Sequence, residues 1–146
     1  MTYEPGRAMA LDVGGKRIGV ALSDTLRLIA TPLMTLRAVP RPFAFEKICV
    51  LLAEHAVTAL VVGYPISLSG DIGPQAKVIQ QFVDELTPSV TVPITLVDER
   101  LTSVAAERLM LDLGVRPEQR RARIDEVAAS IILQDFLDTW RNQQRG

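Results

Sequence analysis

The chain has 146 residues, enough for one domain whose core needs neither a disulfide nor a structural metal. Sixteen Lys and Arg against 17 Asp and Glu give a net charge of -1 and a pI near 5.8, which excludes a strongly basic nucleic-acid arm and an acidic tail. Hydrophobic residues at 48% and a mean hydropathy of +0.21 exclude disorder, while one cysteine and one histidine exclude a disulfide framework and a zinc or histidine-rich metal site.

Residues 1–7 lack the layout of a signal peptide, and no apolar run approaches the roughly 20 residues of a membrane span, so a cytoplasmic setting is expected. Residues 8–13 (AMALDV) and 17–22 (RIGVAL) flank a Gly-Gly-Lys turn and predict a β-hairpin. A third strand falls within 26–36, where Pro32 restricts it to an edge. Phe43, Lys47, Ile48, Leu51 and Leu52 recur at helical spacing up to about His55. Residues 58–62 (TALVV) read as a strand buried on both faces, ended by Gly63. A polar loop over 67–73 leads to a helix opened by Pro74, with Val78, Ile79, Phe82, Val83 and Leu86 on its apolar face. Residues 92–97 form the next strand, running into Asp98 and Glu99.

Ser103 is positioned to cap a helix that turns Val104, Leu109, Met110 and Leu113 inward and stops at Gly114 and Pro117. A basic loop over 116–123 precedes a last helix over about 124–141, with Val127, Ala128, Ile131, Leu133, Phe136, Leu137 and Trp140 on its apolar side. The order β-β-β-α-β-α-β-α-α implies one α/β domain over 1–146, a mixed sheet begun by a hairpin and flanked by helices. Cys49 and His55 read as structural or surface residues, and Phe136 and Trp140 as core or a partner-docking face; with aromatic residues at 5%, a stacking surface for single strands is not indicated.

Acids recur where strands end. Asp12 interrupts an apolar strand two residues before Gly14, either as a turn residue bonding the Gly14 and Gly15 amides or as a functional carboxylate. Asp98 and Glu99 close another buried strand, with helix entry or an Asp98–Arg100 surface pair as the alternative. In open α/β sheets ligands gather outside the carboxyl ends of strands, where both sets lie. Asp125 shares a helix face with Ala128, Ala129 and Ile132, small residues that allow close approach to the sheet; dipole stabilisation at a helix start is the alternative. Three such carboxylates, Asp12, Glu99 and Asp125, suit the hard cations Mg²⁺ or Mn²⁺, and a pair of ions would activate water for phosphodiester hydrolysis.

Phosphate contacts have three candidate sources. Ser67, Ser69, Gly70 and Gly73 precede a helix N-terminus. Lys16 and Arg17 follow Asp12, and Arg100 follows Glu99. Arg116, Arg120, Arg121 and Arg123 form the densest basic run and lead to Asp125, with a solvated loop as the alternative. Thirteen of the 16 basic residues are arginine, a bias suited to bidentate phosphate contacts. With the three acids assigned to metal, 14 acids face 16 bases, so near-neutrality is compatible with a phosphate-binding enzyme.

Four segments carry a family resemblance. Residues 11–24 (LDVGGKRIGVALSD), 61–65 with 69–76 (VVGYP, SGDIGPQA), 98–103 (DERLTS) and 124–133 (IDEVAASIIL) resemble, in order, the motifs of the YqgF/RuvX family of pre-16S rRNA nucleases and Holliday-junction-resolvase-like proteins. The resemblance implies an RNase H-like fold, a five-stranded mixed sheet flanked by helices. It implies Asp12, Glu99 and Asp125 as metal ligands, and a cytoplasmic role in maturing the 5′ end of 16S rRNA on ribosomal particles. Resolvase-type nucleases place an acid on the fourth strand, where this chain has Val62 and Gly63, so Glu99 serves from the neighbouring strand. Asp98 and Glu126 are adjacent candidates for assisting the metal site.

Other readings stand beside this one. The substrate is alternatively a Holliday junction or other structured DNA, with the protein a monomer or a homodimer. The hairpin around Asp12 also resembles the phosphate-binding opening of actin-like ATPases and sugar kinases, which usually close two such domains over ATP. A third class is a non-catalytic RNA-binding ribosome-assembly factor using the arginine run.

Overall fold

The computed structural model describes residues 4–65, 73–99 and 102–145. β1 (Arg7–Val13) and β2 (Arg17–Ser23) form an antiparallel hairpin, its turn closed by the Gly14 amide donating to the Arg17 carbonyl at 2.8 Å. β3 (Ala30–Arg37) pairs antiparallel with β2, and the register shifts between Val20 and Ala21, next to Pro32. The chain crosses through α1 (Arg41–Glu54) to β4 (Val57–Tyr64), parallel to β1. It then passes through α2 (Pro74–Leu86) to β5 (Ile94–Asp98), parallel to β4. The described residues thus build a five-stranded sheet in the order β3-β2-β1-β4-β5. β3 is an edge strand, the position a proline without an amide tolerates. α3 (Thr102–Asp112) and α4 (Pro117–Arg145) follow. Among the described residues no helix is long and apolar enough to cross a membrane.

The two-residue period of the strands sorts the sheet into two chemically different faces. Met9, Leu11, Val13, Ile18, Val20, Leu60 and Val62 pack with Ile48 of α1 and Ile79 and Phe82 of α2. Phe82 also meets Phe45 edge-on at a ring separation of 5.3 Å, and its truncation to alanine costs about 3–5 kcal/mol. The alternate residues, Ala8, Ala10, Ala21, Ala59 and Val61, receive Ala129, Ile132, Leu133 and Leu137 of α4. Small side chains on both partners let α4 lie close to the sheet. Asp12, Gly19 and Gly63 continue this alternation and therefore fall on the α4 face. α3 packs on α4 through Ala106 and Met110 against Val127 and Ala128.

Arg27 fastens the end of the sheet remote from Asp12. Its buried guanidinium donates from Nε to the Gly6 carbonyl and from Nη2 to Thr58 Oγ1, both at 3.0 Å, and lies 5.1 Å over the Trp140 ring of α4. Trp140 is thereby a structural contact of Arg27.

Several expected boundaries move. α4 begins at Pro117, so Arg120, Arg121 and Arg123 stand on its first turns and the expected basic loop is helical. Proline at the first helical position and Glu118 in the first turn are the start signals that win. Asp125 is then a residue of the third turn and opens no helix. α3 begins at Thr102, which places Ser103 inside the helix rather than at its cap. Leu109 and Leu113, expected inward, are exposed, because α3 touches α4 along the narrow stripe of Ala106 and Met110. Phe43 and Val78 are also exposed, and Ala44 and Ala76 take the buried positions beside them.

Candidate active site

Three elements deliver three carboxyl groups to one end of the α4 face. Asp12 is the second-last residue of β1, where the alternation set by Ala8 and Ala10 turns it toward α4. Glu99 directly follows β5, its amide donating to the Tyr64 carbonyl at the end of β4 at 3.3 Å. Asp125 comes from α4 above the hairpin.

Asp12 and Glu99 share a side-chain hydrogen bond. Burial pushes the Glu99 carboxyl up to about 8, helped by the charge of Asp12, the bond to Asp12 and the charge of Asp98. Burial also raises Asp12, the bond from Glu99 opposes that rise, and the charge of Asp125 adds to it. Two contacting, half-buried carboxyls resist ionising together, so at neutral pH the pair retains a proton between them.

Asp125 is held differently. Arg17 Nε donates to Asp125 Oδ2 at 2.8 Å, with the arginine side chain 57% exposed. Such an open ion pair is worth about 0–1 kcal/mol, so either partner can be released at little expense. Among the described residues no three His, Cys, Asp or Glu side chains are gathered closely enough to hold a metal ion. The geometry is therefore a contacting pair, Asp12 and Glu99, with Asp125 beside it and engaged by Arg17.

Two glycines shape this arrangement: Gly19, which sequence reading passed over, and Gly63, which it took as the end of a strand that in fact runs on to Tyr64. A β-carbon on Gly63 would stand 2.7 Å from Glu99 Oε2 and 2.7 Å from Ile132 Cδ1. The Glu99 carboxylate thus lies over the very residue of β4 where a fourth-strand acid would attach. A β-carbon on Gly19 would stand 1.9 Å from the Asp125 carbonyl oxygen, and Gly19 is the cross-strand partner of Asp12. Glycine inside a strand marks close backbone approach, the signal that could have found both.

The remaining expected contacts scatter. Lys16 is exposed at the hairpin tip and Arg123 is exposed on α4. Arg120 lines a cavity together with Arg17. Arg121 lies in α4, whereas Ser69 and Arg100 lie outside the described residues. Asp98 ends β5 and acts on Glu99 through its charge, and Glu126 is half-buried one residue after Asp125.

Comparison with known proteins places the chain in a family. Residues 6–139 match the family model described as "RuvX: Holliday junction resolvase". A protein of Roseiflexus sp. (strain RS-1) named "Putative pre-16S rRNA nuclease" is 67% identical over 141 residues, covering 97% of this chain and 100% of that protein. A protein of Chloroflexus aurantiacus (strain ATCC 29366 / DSM 635 / J-10-fl) with the same name is 50% identical over 134 residues, 92% of this chain and 88% of that protein. In fold, the chain is similar to Thermus thermophilus RuvC in complex with a Holliday junction substrate, with a TM-score of 0.56 at 14% identity over 93% of this chain and 96% of that one. It is also similar to the fowlpox virus Holliday junction resolvase, with a TM-score of 0.54 at 11% identity over 91% of this chain and 99% of that one. The fold is that of the RuvC-like resolvases, and the chain belongs to the RuvX family.

Proposed function

We propose that this chain is a metal-dependent nuclease, hydrolysing phosphodiester bonds in the 5′-end maturation of precursor 16S rRNA. The observation that carries the reading is the contact of Asp12 with Glu99 at the carboxyl ends of β1 and β5, with Asp125 facing them from α4. The names of the relatives support the rRNA substrate.

The site fits a divalent cation on the chemistry of its donors. All are carboxylate oxygens, and the proton shared by Asp12 and Glu99 marks where a positive charge is wanted. Asp12 and Glu99 would hold Mg²⁺ or Mn²⁺, and Asp125 would join by exchanging Arg17 for the ion. A bound pair of ions supplies activation of water and stabilisation of the departing oxygen. The chain's own residues do the rest. The Asp12–Glu99 pair would give up its proton on holding a cation, exposed Arg17 would meet a substrate phosphate, Lys16, Arg120 and Arg123 would add cationic contacts, and Ser69, Arg100 and Arg121 stay candidate contacts. One domain suffices for this chemistry, as a monomer or a homodimer acting in the cytoplasm on ribosomal particles.

The test is cleavage of labelled precursor 16S rRNA, single strands and four-way DNA junctions by the wild type and by Asp12→Asn, with Mg²⁺ and with Mn²⁺. Metal-dependent cleavage of the rRNA precursor, lost in Asp12→Asn, is expected. Cleavage of the junction alone would move the substrate to structured DNA, and full activity of the variant would sink the assignment of Asp12.

A further inference from the structure

Beside the carboxyl cluster, α3, the first turns of α4 and the start of β2 border a cavity of about 440 Å³. That volume is in the roughly 300–1,000 Å³ range of small-ligand pockets. Its walls divide by chemistry. Arg17 and Arg120 bring two guanidinium groups, and the Arg120 guanidinium leans on the Val115 carbonyl at 3.4 Å. Pro117 brings in the N-terminal end of α4, where the helix dipole adds positive potential. Met110, Leu111 and Ile124 form an apolar wall, and Glu107 of α3 adds a carboxylate. The cavity meets the cluster twice, since Arg17 holds Asp125 and Ile124 precedes Asp125 in α4.

We propose that this cavity seats one unpaired nucleotide of the substrate strand, its phosphate on Arg17 and Arg120 and its base against Met110, Leu111 and Ile124. This rests on the nuclease reading and adds that the strand is single beside the cleavage site. A phosphate groove along a duplex needs arginines on an open surface and no apolar wall behind them. Here the two occur together, as in proteins that take a base out of its stack. Leu111 is 58% exposed, apolar surface that a base face would cover. Glu107 fixes the orientation, because an ionised carboxylate only accepts hydrogen bonds and repels phosphate. It faces the pairing edge of the base, where guanine presents two adjacent N–H donors and uracil one. The pocket therefore favours guanosine over uridine.

Calorimetric titration of 5′-GMP and 5′-UMP into the full chain in EDTA reads the pocket without cleavage. Saturable binding of 5′-GMP is expected, with 5′-UMP weaker. Arg120→Ala and Leu111→Asp each weaken 5′-GMP about tenfold or more, and Glu107→Gln removes the preference for 5′-GMP. These side chains lie outside the buried core, and thermal denaturation checks that each variant is folded. No saturable binding at millimolar nucleotide, unchanged binding in both Arg120→Ala and Leu111→Asp, or equal affinity for inorganic phosphate would each overturn the proposal. The two readings fail separately. Cleavage without nucleotide binding removes the pocket alone, and nucleotide binding by a wild type that cleaves nothing removes the nuclease reading alone.

Discussion

Gly19 on β2 lies directly under Asp125 of α4, so close that a β-carbon on the glycine would stand 1.9 Å from the Asp125 carbonyl oxygen and 2.8 Å from the Glu126 amide nitrogen. The same glycine pairs across the hairpin with Asp12. One residue without a side chain therefore sets the distance between two of the three candidate ligands. Gly19→Ala meets backbone, which no rotamer change can relieve. The expected result is destabilisation of about 1–3 kcal/mol by overpacking and a loss of cleavage larger than the stability change explains. Thermal denaturation and a cleavage assay on the folded variant check this, and wild-type values in both would remove the positioning role.

Gly63 stands in the same relation to Glu99. Gly63→Ala pushes on Glu99 Oε2 and Ile132 Cδ1, so cleavage should fall, by about tenfold or more. Moving the carboxylate is the sharper test. Glu99→Ala should lose about 100-fold or more of the activity, and Glu99→Ala with Gly63→Asp should recover part of it from β4. A double variant no better than Glu99→Ala would show that the acid must come from β5.

Without metal, stability should depend on pH with a defined sign. The Glu99 carboxyl titrates near 8 in the folded chain against 4.5 as its ordinary value. Between those values the folded state binds more protons than the unfolded one, so stability falls as pH rises. Asp12, also raised, acts in the same direction. Denaturation in EDTA should therefore give a lower Tm at pH 8 than at pH 5. Glu99→Gln should flatten the slope, and Mg²⁺ or Mn²⁺ should restore Tm at pH 8. A slope unchanged in Glu99→Gln would assign it elsewhere.

Arg17 is exposed and pairs with Asp125, so Arg17→Ala should change stability by less than about 1 kcal/mol. Its effect belongs to substrate binding. Nucleic-acid affinity measured against salt should lose about one unit of log–log slope, with KM rising. An unchanged slope would leave Arg17 as a partner of Asp125 alone.

Much of this molecule is legible in its residue order. The apolar runs over residues 8–13 and 58–62, the Gly14–Gly15 turn and Pro32 predict the hairpin, the central strands and the edge position of β3, because these depend on local backbone preference and on which residues avoid water. Asp12, Glu99 and Asp125 stand out locally too, as acids where apolar segments end or face inward. The misplaced features are also local. The start of α4 is a competition between Pro117 with Glu118 and the apolar pattern from Ile124 onward, and arginine-rich turns carry no periodicity to decide it.

What the order of residues could not supply is distance. That Glu99 overlies Gly63, that Gly19 seats Asp125, that Arg17 holds Asp125 and that Arg17 and Arg120 share a cavity depend on contacts between residues as many as 108 positions apart in the chain. Composition and periodicity assign side chains to faces, and only packing at van der Waals distance decides which of them touch. Sequence alone determined a mixed α/β sheet carrying acids. Tertiary structure made two of those acids a proton-sharing pair and set the third beside them on an arginine, because burial and proximity, unlike residue type, are properties of the packed chain.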